Sequence, residues 1–430
     1  MLNILILHGM GPRATWFSGV SDVELMFPKY DKSSNYWSHN CYSKIPNFLK
    51  TIHFDSIIIM STFMDFVVQK GSHSIWLKQY EFIKSSDAIK IVFAQDDYWL
   101  SEVRDEFYNN FKIDVLYSVC PVETWCELFP KFLRSSGDVR QGFTSYVTPA
   151  VLSLQKYDIA WMERSYDVVY RAKKVPSAPN YLGYIKGIMG EKFLEKTKDV
   201  IYKFDISTDP KKLIFGEKWY KFLCNSKSTL GSNSGSSVLL RNATIETSLR
   251  EYQSEYPEAS WEEVAINVFD KKDLNKKYTA LSPRNIEAAM LGTLQILTPG
   301  EYSNILIANE HFLVLDENFE NSEQVLIELN RVENCQKMIN SCRETILRTP
   351  ELQFEVLLKE VKEIICTKKR TNLSLENKFR YIILKLVHGT HNETVVFLKW
   401  VILKFPKYVF SKFTPKIKNK IKRKINNILS

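Results

Sequence analysis

The chain has 430 residues with a formal net charge of +9, and 45% of its residues are hydrophobic. This length and apolar content suffice for two core-bearing domains and exclude an intrinsically disordered protein. The residues before Gly9 lack the basic start and the long apolar core of a cleavable signal, so we expect a cytoplasmic protein. The seven cysteines form no CxxC pair, which favours free thiols and argues against a Cys-based metal site.

The positive charge is concentrated towards the carboxyl terminus. Residues 351–430 contain 18 Lys and Arg but only 6 Asp and Glu, so the rest of the chain is slightly acidic. A slightly acidic main part that is joined to a basic tail predicts that the tail binds an anionic surface.

Four apolar runs in the first part of the chain predict buried parallel strands that alternate with helices. They are residues 2–7, 54–60, 88–94 and 114–119. Residues 30–42, which are polar and aromatic, are interpreted as a loop near a cleft. In open α/β sheets ligands bind at the carboxyl ends of the strands, so the residues that follow each run are candidates for a site.

His8 follows the first of these runs, and Asp96 and Asp97 follow the third. Carboxylates at a strand end can serve acid–base chemistry or bind hydroxyls, although adjacent residues need not face the same way. His8 can orient an acceptor. The simpler interpretations are an aspartate that caps the next helix and a histidine with a structural role.

The second half begins from a predicted boundary between Thr148 and Glu163. Residues 164–172 predict a strand, and Arg171 near its end can donate two hydrogen bonds to a diphosphate. Lys186 follows in a predicted helix, and we interpret it as a solvated surface charge.

A run of small residues, 231–237, lies between a short predicted strand and an apolar stretch. Small side chains allow backbone N–H groups to approach a ligand closely, so Ser232, Gly235 and Ser236 are candidate contacts. A flexible linker is the alternative interpretation.

Residues 281–302 form the most informative stretch. Ser282 predicts a helix cap and Pro283 a first helical position, Gly292 ends the helix, and residues 293–298 predict a buried strand. Arg284 and the free N–H groups of the helix start favour an anion, while Glu287 one turn later offers a carboxylate to hydroxyls. A nucleotide sugar presents both groups.

Several motifs in this chain resemble those of one enzyme family. They are S-P-R-x-x-E-A-A-x-x-G-T and T-P-G-E-Y-S in residues 282–303, Q-D-D-Y at 95–98, R-x-x-D-x-x-Y-R at 164–171 and G-S-x-S-G-S-S at 231–237. Together they are similar to bacterial GT-B glycosyltransferases of the group 1 (GT4-like) type, whose members build cell-surface polysaccharides. The resemblance implies an α/β GT-B fold: two Rossmann-like domains face a cleft, with residues 1–160 on the acceptor side, 161–350 on the donor side and 351–430 as a basic helical tail.

The resemblance also implies a reaction, which is retaining hexosyl transfer from a nucleotide sugar to a lipid-linked or polysaccharide acceptor. The nucleotide sugar is a co-substrate, and neither a cofactor nor a metal is expected. Glu287 would hold the ribose and Arg284 the diphosphate. The remaining donor-site candidates are Arg171, Ser232, Gly235, Ser236, Ser282, Glu301 and Tyr302, and the catalytic candidates are His8, Asp96 and Asp97.

Many retaining relatives have a further Glu eight positions before the ribose Glu, where this chain has Thr279. Inversion and retention therefore both stay open. Two other functions also remain as alternatives: a nucleotide-sugar epimerase of the same fold, and a non-catalytic subunit that binds nucleotide sugars or glycans.

The end of the chain predicts helices. Residues 322–366 are helical in pattern, and one helix in this region is a candidate to cross back to the first domain. Residues 394–430 contain no acidic residue, and within 416–430 the isoleucines 417, 421, 425 and 428 form one stripe of a helix whose other faces carry lysines.

This pattern is typical of a helix that lies in a membrane interface, because the apolar runs here are too short to span a bilayer. We therefore expect peripheral attachment to the inner face of the cell membrane. Nucleic acid is the competing anionic partner, and an ordinary solvated helix is the simplest alternative.

Overall fold

The computed structural model describes residues 1–11, 18–71, 74–172, 180–257 and 259–367. These residues form two parallel β-sheets with helices packed on them, as the sequence predicted. The strands are β1 (Asn3–His8), β2 (Asn35–Asn40), β3 (Ser56–Ile59), β4 (Ile89–Phe93), β5 (Val115–Ser118), β6 (Asp138–Gln141), β7 (Tyr166–Arg171), β8 (Phe204–Ser207), β9 (Ser226–Gly231), β10 (Ser234–Ser236), β11 (Tyr278–Ala280), β12 (Leu294–Leu297) and β13 (Leu313–Val314).

The helices alternate with these strands along most of the chain. They are α1 (Ser18–Glu24), α2 (Met26–Tyr30), α3 (Ser61–Lys70), α4 (Ile75–Lys78), α5 (Ser101–Asn110), α6 (Trp125–Leu128), α7 (Pro130–Arg134), α8 (Pro149–Leu152), α9 (Tyr181–Lys196), α10 (Glu217–Cys224), α11 (Ala243–Glu255), α12 (Trp261–Val268), α13 (Pro283–Met290), α14 (Ser322–Glu328), α15 (Val332–Arg348) and α16 (Phe354–Cys366).

The first sheet has the order β2-β1-β3-β4-β5-β6, and every neighbouring pair is parallel. The four apolar runs predicted as strands are β1, β3, β4 and β5. The region interpreted as a loop instead contains β2, whose polar and aromatic sequence NYWSHN hides its strand character. The prediction of a loop there is wrong because pairing with β1 and packing, rather than alternation of apolar residues, determine this strand.

The second sheet has the order β13-β12-β9-β7-β8, also parallel throughout. In each sheet the chain starts in the interior and then turns to the other side, so the strand order reverses between β1 and β3 and between β7 and β9. Ligands of open α/β sheets bind in the crevice outside the carboxyl ends of the strands at such a reversal. The fold therefore marks two positions for a site, one on each sheet.

Both sheets are buried on both faces. In β1, Leu5 packs into one apolar cluster and Ile4 into the other, and Ile57 and Ile58 of β3 divide in the same way. This double burial explains why the central strands read as continuous apolar runs.

Helix α16 belongs to the first sheet although it comes last in the described chain. Phe354, Leu357, Val361 and Ile365 form one stripe that is buried in the core beside β1, β3 and β4. The Glu360 carboxylate accepts hydrogen bonds from Arg140 Nη1 at 2.6 Å and from the Tyr117 hydroxyl at 3.0 Å. The chain therefore does cross back from the second sheet to the first, within the region where the sequence offered a candidate helix.

A second connection between the two halves runs through residues 234–280. Strands β10 and β11 pair antiparallel, and the chain between them carries α11 and α12. Leu240 N donates to Tyr98 O at 3.0 Å, and the Glu127 carboxylate of α6 accepts from Arg241, Lys276 and Tyr278 at 2.6–3.0 Å. We call residues 234–280 the bridging segment, because it joins the second half to the first.

Within the bridging segment, the backbone requires a glycine at position 235, and this requirement can be tested. Gly235 has φ +112°, and an added Cβ would lie 1.8 Å from the carbonyl oxygen of Tyr278 on the paired strand. We expect Gly235→Ala to lower the free energy of unfolding by more than about 2 kcal/mol, because backbone strain and overlap with the main chain add. Urea unfolding measures the change.

The matched control is Gly71→Ala, because Gly71 also has a positive φ of +85° but an added Cβ meets nothing within 4 Å. Backbone strain alone should cost this variant about 1–3 kcal/mol, since Gly71 has a φ of +85° and a ψ of 149°. Equal losses in the two variants would show that the contact with Tyr278 adds nothing.

Within the described residues, no helix is both long enough and apolar enough to cross a lipid bilayer. Residues 394–430, in which the sequence predicted an interfacial helix, lie outside the described residues.

Candidate functional site

Helix α13 begins at Pro283, as predicted, and its start is fixed by a local bond: Asn285 Oδ1 accepts a hydrogen bond from Ser282 N at 2.8 Å. Gly292, with φ +64°, ends the helix, and β12 follows. Arg284 and Glu287 are thereby held one turn apart, beside the end of β7.

The Glu287 carboxylate is buried at this helix. Its side chain accepts a hydrogen bond from the Trp219 indole Nε1 at 2.7 Å, and Gly19 of α1 packs so closely that an added Cβ would lie 3.1 Å from Oε1. Burial raises the pKa of Glu287 to about 7, while Trp219 and Arg284 oppose this rise. A carboxylate with so few partners in a buried place is suited to receive hydroxyl groups.

The Arg284 guanidinium lies near two aromatic rings. Its centre lies 5.1 Å from the ring of Trp219 and 5.6 Å from that of Tyr170, and Nη2 donates to the carbonyl oxygen of Arg171 at 2.8 Å. Aromatic faces attract a cation without neutralising its charge. Arg284 therefore remains able to bind an anion.

Lys186 of α9 is partly buried, and not fully solvated as the sequence interpretation had it. Burial and the charge of Arg284 lower the pKa of Lys186 to about 8, against the effect of Asp96. Two cations that repel each other in a partly buried place create a site that an anion such as a diphosphate would stabilise.

Arg171 ends β7 and lines the same region as Arg284, but its side chain has an ionic partner within the protein. Its guanidinium donates to the Asp205 carboxylate at 2.6 Å and to the Asp205 carbonyl oxygen at 2.8 Å, and it lies over the ring of Phe222. The charge of Arg171 is thus paired within the protein. Its carbonyl oxygen accepts the hydrogen bond from Arg284.

The run of small residues is packed structure, not a linker. Ser236 lies in β10, and its hydroxyl bonds the N–H and carbonyl groups of Val238. Ser232 is buried beside Asn233, whose side chain accepts a hydrogen bond from Tyr302 N at 3.2 Å. Through these contacts the polar atoms of residues 231–237 join β9 to the part of the chain that follows β12.

Two other predicted donor residues are also engaged within the protein. The Tyr302 hydroxyl is buried and donates to the carbonyl oxygen of Thr298 at 2.7 Å, and Glu301 pairs with Lys277 at 3.0 Å. Tyr302, Ser303 and Asn304 all have positive φ, between +43° and +56°. Consecutive left-handed residues are strained, and such strain concentrates at functional positions.

A cavity of about 290 Å³ lies beside Arg284 and Glu287 and is bordered by both halves of the chain. Its volume is at the lower end of ligand pockets and suits part of a nucleotide sugar. It is lined by Gly19, Val20, Arg171, Ala172, Leu213, Ile214, Gly216, Trp219, Ser282, Pro283, Arg284 and Glu287. A larger hollow of about 670 Å³ beside α14 and α15 borders none of the predicted site residues, so we assign the site to the smaller cavity.

The adjacent carboxylates after β4 point in different directions. Asp97 is fully buried, accepts hydrogen bonds from Ser118 at 2.7 Å and Tyr108 at 3.3 Å, and has its pKa raised by burial to about 6. Asp96 is exposed, has a left-handed φ of +53° and accepts a hydrogen bond from the Tyr98 hydroxyl. Of the two, Asp96 is the solvent-exposed carboxylate, and its charge raises the pKa of Lys186.

His8 lies at the carboxyl end of β1, at the strand-order reversal of the first sheet. It is 5% exposed, and its Nδ1 makes no hydrogen bond to any described residue. Burial lowers the pKa of His8 to about 4, so the ring is neutral at pH 7. A neutral imidazole with an open position can hydrogen-bond a hydroxyl but carries no charge.

Thr279 occupies the position at which many retaining relatives have Glu. It lies in β11 opposite Gly235, and its hydroxyl is buried without a hydrogen-bond partner among the described residues. No carboxylate is supplied from this position.

Sequence reasoning missed three contributors: Lys186, Trp219 and Gly19. The sequence feature that could have drawn attention to Lys186 is its position in the second turn of a helix whose first turn is capped by the Asn180 side chain. In the sequence, Trp219 indicated only a helix, and Gly19 indicated nothing. Both residues act by contacting Glu287, which lies more than 60 residues away from each of them along the chain.

No protein-family model matches the sequence, and no curated protein matches it. Comparison with solved structures does give matches, and these are GT-B glycosyltransferases. An α-glucosyltransferase in complex with UDP-glucose and DNA containing an abasic site is 10% identical, with a TM-score of 0.51 over 85% of this chain and 99% of that one.

Two further matches are Anabaena HepE in complex with UDP and TarM. HepE is 9% identical, with a TM-score of 0.47 over 85% of this chain and all of that one, and TarM is 12% identical, with 0.40 over 76% and 57%. At these identities a likeness concerns the fold. The chain has the GT-B fold, which confirms the predicted fold class.

Proposed function

We propose that the protein is a glycosyltransferase that takes a hexosyl group from a nucleotide sugar. One observation carries the proposal: the Arg284 guanidinium and the buried carboxylate of Glu287 line one cavity beside the end of β7, at a strand-order reversal. The cation suits the diphosphate, and the carboxylate suits the ribose hydroxyls. Trp219 contacts both Arg284 and Glu287 and fixes their spacing.

In the proposed reaction the bond between the anomeric carbon and a diphosphate oxygen breaks, and an acceptor hydroxyl oxygen forms the new bond to that carbon. Negative charge develops on the departing diphosphate, where Arg284 and Lys186 stabilise it. The acceptor proton passes to a diphosphate oxygen when attack and departure share one face, as in retention. We propose retention because this route does not require a carboxylate side chain at position 279, where this chain has Thr279.

The acceptor we propose is a lipid-linked or polysaccharide glycan of the bacterial surface, on the strength of the sequence resemblance. The ten Lys and Arg residues within 394–430 support attachment to the inner face of the cell membrane, where such acceptors are found.

A screen of nucleotides and nucleotide sugars for thermal stabilisation tests the donor site. A ligand at a hundredfold excess over its dissociation constant should add about 2.7 kcal/mol to the free energy of unfolding. Turnover then separates the functions: transfer to a glycan supports a transferase, isomerisation without an acceptor supports an epimerase, and binding without turnover supports a non-catalytic subunit. A protein that no nucleotide or nucleotide sugar stabilises would contradict the proposal.

The two carboxylates after β4 give a paired prediction. We expect Asp96→Asn to reduce turnover or acceptor affinity, since Asp96 is solvent-exposed, by up to about 10²-fold if it assists proton transfer. Asp97→Asn should act on stability, because Asp97 is buried and bonded to Ser118 and Tyr108. Steady-state kinetics and thermal unfolding of both variants check this, and a larger kinetic loss in Asp97→Asn would reverse the assignment.

A further inference from the structure

A long groove follows one face of helix α15. Two hollows of about 670 Å³ and 510 Å³ lie side by side there, and Glu310 and Ser341 belong to the walls of both. The lining residues of α15 recur in steps of three or four from Asn334 to Arg348, a distance of about 21 Å along a helix. We call this combined depression the α15 groove. Among the described residues, it shares no lining residue with the donor cavity.

The α15 groove has an apolar floor and an acidic rim. Leu313 and Val314 form β13, the edge strand of the second sheet, and together with Val325 and Met338 they line the groove as buried or half-buried side chains. The charged lining residues are the carboxylates Glu310, Asp316, Glu328, Glu344 and Glu351 and the cations Lys337 and Arg348, a net of −3. The groove therefore suits an occupant that is apolar on one side and basic on the others.

Three of these carboxylates are available to a cation. Asp316 and Glu351 are exposed, and neither forms an ion pair with a described residue. Glu310 lies 3.4 Å from Nε2 of His311, but burial lowers the pKa of His311, so this imidazole is neutral at pH 7. The other two carboxylates are paired with arginines at 3.0 Å. The rim thus carries negative charge that the described part of the fold leaves uncompensated.

The edge of β13 decides which kind of segment fits the groove. The Asn321 side chain already occupies this edge: its Oδ1 accepts from Asp316 N at 2.9 Å, and its Nδ2 donates to the Val314 carbonyl oxygen at 2.9 Å. A strand added to β13 would have to displace both hydrogen bonds. A helix that lies in the groove would not, because it is recognised through its side chains.

Residues 416–430 match the α15 groove in charge, pattern and length. This segment holds six Lys and Arg and no acidic residue, and the sequence predicts one helical face that carries the isoleucines 417, 421, 425 and 428. A helix of these 15 residues is about 22 Å long, close to the 21 Å of the groove. Its apolar stripe would meet the floor of the groove, and its lysines would meet the rim.

The covalent connection permits this contact. Helix α16 begins at Phe354, three residues after Glu351 at one end of the groove, and its 13 residues are about 20 Å long. Residues 367–415 then join α16 to the basic segment, and a chain of that length spans up to roughly 160 Å. Attachment to the same chain also raises the concentration of the segment at the groove, so weak intrinsic binding suffices.

We propose that the α15 groove binds residues 416–430 of the same chain as an intramolecular latch, and that an anionic surface opens the latch by competing for the same lysines and isoleucines. The closed latch lowers the apparent affinity for a membrane by the fraction of molecules in which the segment is released. The latch itself does not rest on glycosyl transfer, because it uses neither the donor nor the acceptor.

Photo-crosslinking of the full chain tests the contact directly. In the variant Ile421→p-benzoylphenylalanine, irradiation should join position 421 to the groove, above all to the thioether of Met338, and peptide mass spectrometry locates the link. Vesicles that contain phosphatidylserine should reduce this link about tenfold or more. The matched control is Asn419→p-benzoylphenylalanine, because position 419 lies on the face opposite the isoleucine stripe and should give much less of the same link.

Charge reversal in the groove tests the competition with a membrane. The groove variant combines Glu310→Lys, Asp316→Lys and Glu351→Lys, whereas a control of equal total charge combines Glu251→Lys, Glu333→Lys and Glu363→Lys, three exposed carboxylates outside the groove. A latch that is closed in nine molecules of ten costs about tenfold in apparent affinity. Sedimentation should therefore show the groove variant binding phosphatidylserine vesicles about tenfold more tightly than the control, and the link from position 421 should disappear.

Each other outcome contradicts a stated part of the proposal. A link from position 421 to a second copy of the chain would make the groove a contact between copies, and no link to the groove at all would mean that another surface holds the segment. Equal vesicle affinity of the two charge-reversed variants would refute the competition. None of these readouts uses a nucleotide sugar, so the latch and the proposed function stand or fall separately.

Discussion

Glu287→Ala and Arg284→Ala are each expected to weaken nucleotide-sugar binding by about 10- to 100-fold, because each removes a charge-assisted contact worth about 1.5–3 kcal/mol. Both side chains border the cavity and neither is required by the core of the second sheet. Calorimetric titration with the best ligand of the screen measures the loss. Unchanged affinity in both variants would show that the donor binds elsewhere.

The variant Glu287→Gln distinguishes the contribution of the carboxylate to donor binding from the cost of burying its charge in the folded protein. The pKa of Glu287 is about 7 in the folded protein and near 4.5 when unfolded, so ionisation destabilises the fold as pH rises from 4.5 through 7, by about 3 kcal/mol in all. Glutamine removes this penalty. We expect Glu287→Gln to melt higher than the parent at pH 8 and alike at pH 4.5, while binding the donor more weakly at pH 8.

The pH dependence of the parent follows from the same group. If the ionised carboxylate holds the ribose, donor affinity should rise as pH increases through about 7, and Glu287→Gln should lose that rise. A rise of affinity with pH that the substitution does not alter would assign the dependence to another group that loses a proton in this range.

Truncation after Glu393 is expected to release the protein from anionic liposomes. The removed residues 394–430 carry ten Lys and Arg and no acidic residue, and each basic residue near an anionic leaflet contributes on the order of 1 kcal/mol. Sedimentation with phosphatidylserine-containing vesicles measures binding, and salt should weaken it in the full-length protein. Equal sedimentation of both forms would refute the attachment.

Two matched variants divide the contributions of this segment. Replacing Ile417, Ile421, Ile425 and Ile428 by serine removes the apolar stripe and keeps the charge, whereas replacing Lys418, Lys420, Lys422 and Lys424 by glutamine does the reverse. An interfacial helix requires both features. Binding that depends on charge alone, and that duplex DNA abolishes in competition, would favour nucleic acid as the partner.

The sequence predicted the elements whose signals are local. Helix α13 and strand β12 follow from Ser282, Pro283 and Gly292, which act on their own neighbours along the chain. The ion pair of Arg171 could not be predicted, because its partner Asp205 belongs to a parallel strand and no pattern at position 171 reveals that pairing. Asp96 and Asp97 were indistinguishable in sequence because a left-handed φ at Asp96, held by tertiary contacts, turns them apart.

The bridging segment bears on how substrates reach the cleft. Enzymes that must close around a ligand give up part of its intrinsic affinity to populate the closed state. Here the halves are already tied at Trp99 and Leu240 and through Glu127, whose bonds from Lys276 and Tyr278 hold its pKa below the usual value although burial opposes this. If this arrangement is the one that binds the ligand, we expect its assembly to cost a ligand little affinity. Exchange of ligands would then depend on local movement at the cavity more than on separation of the two halves.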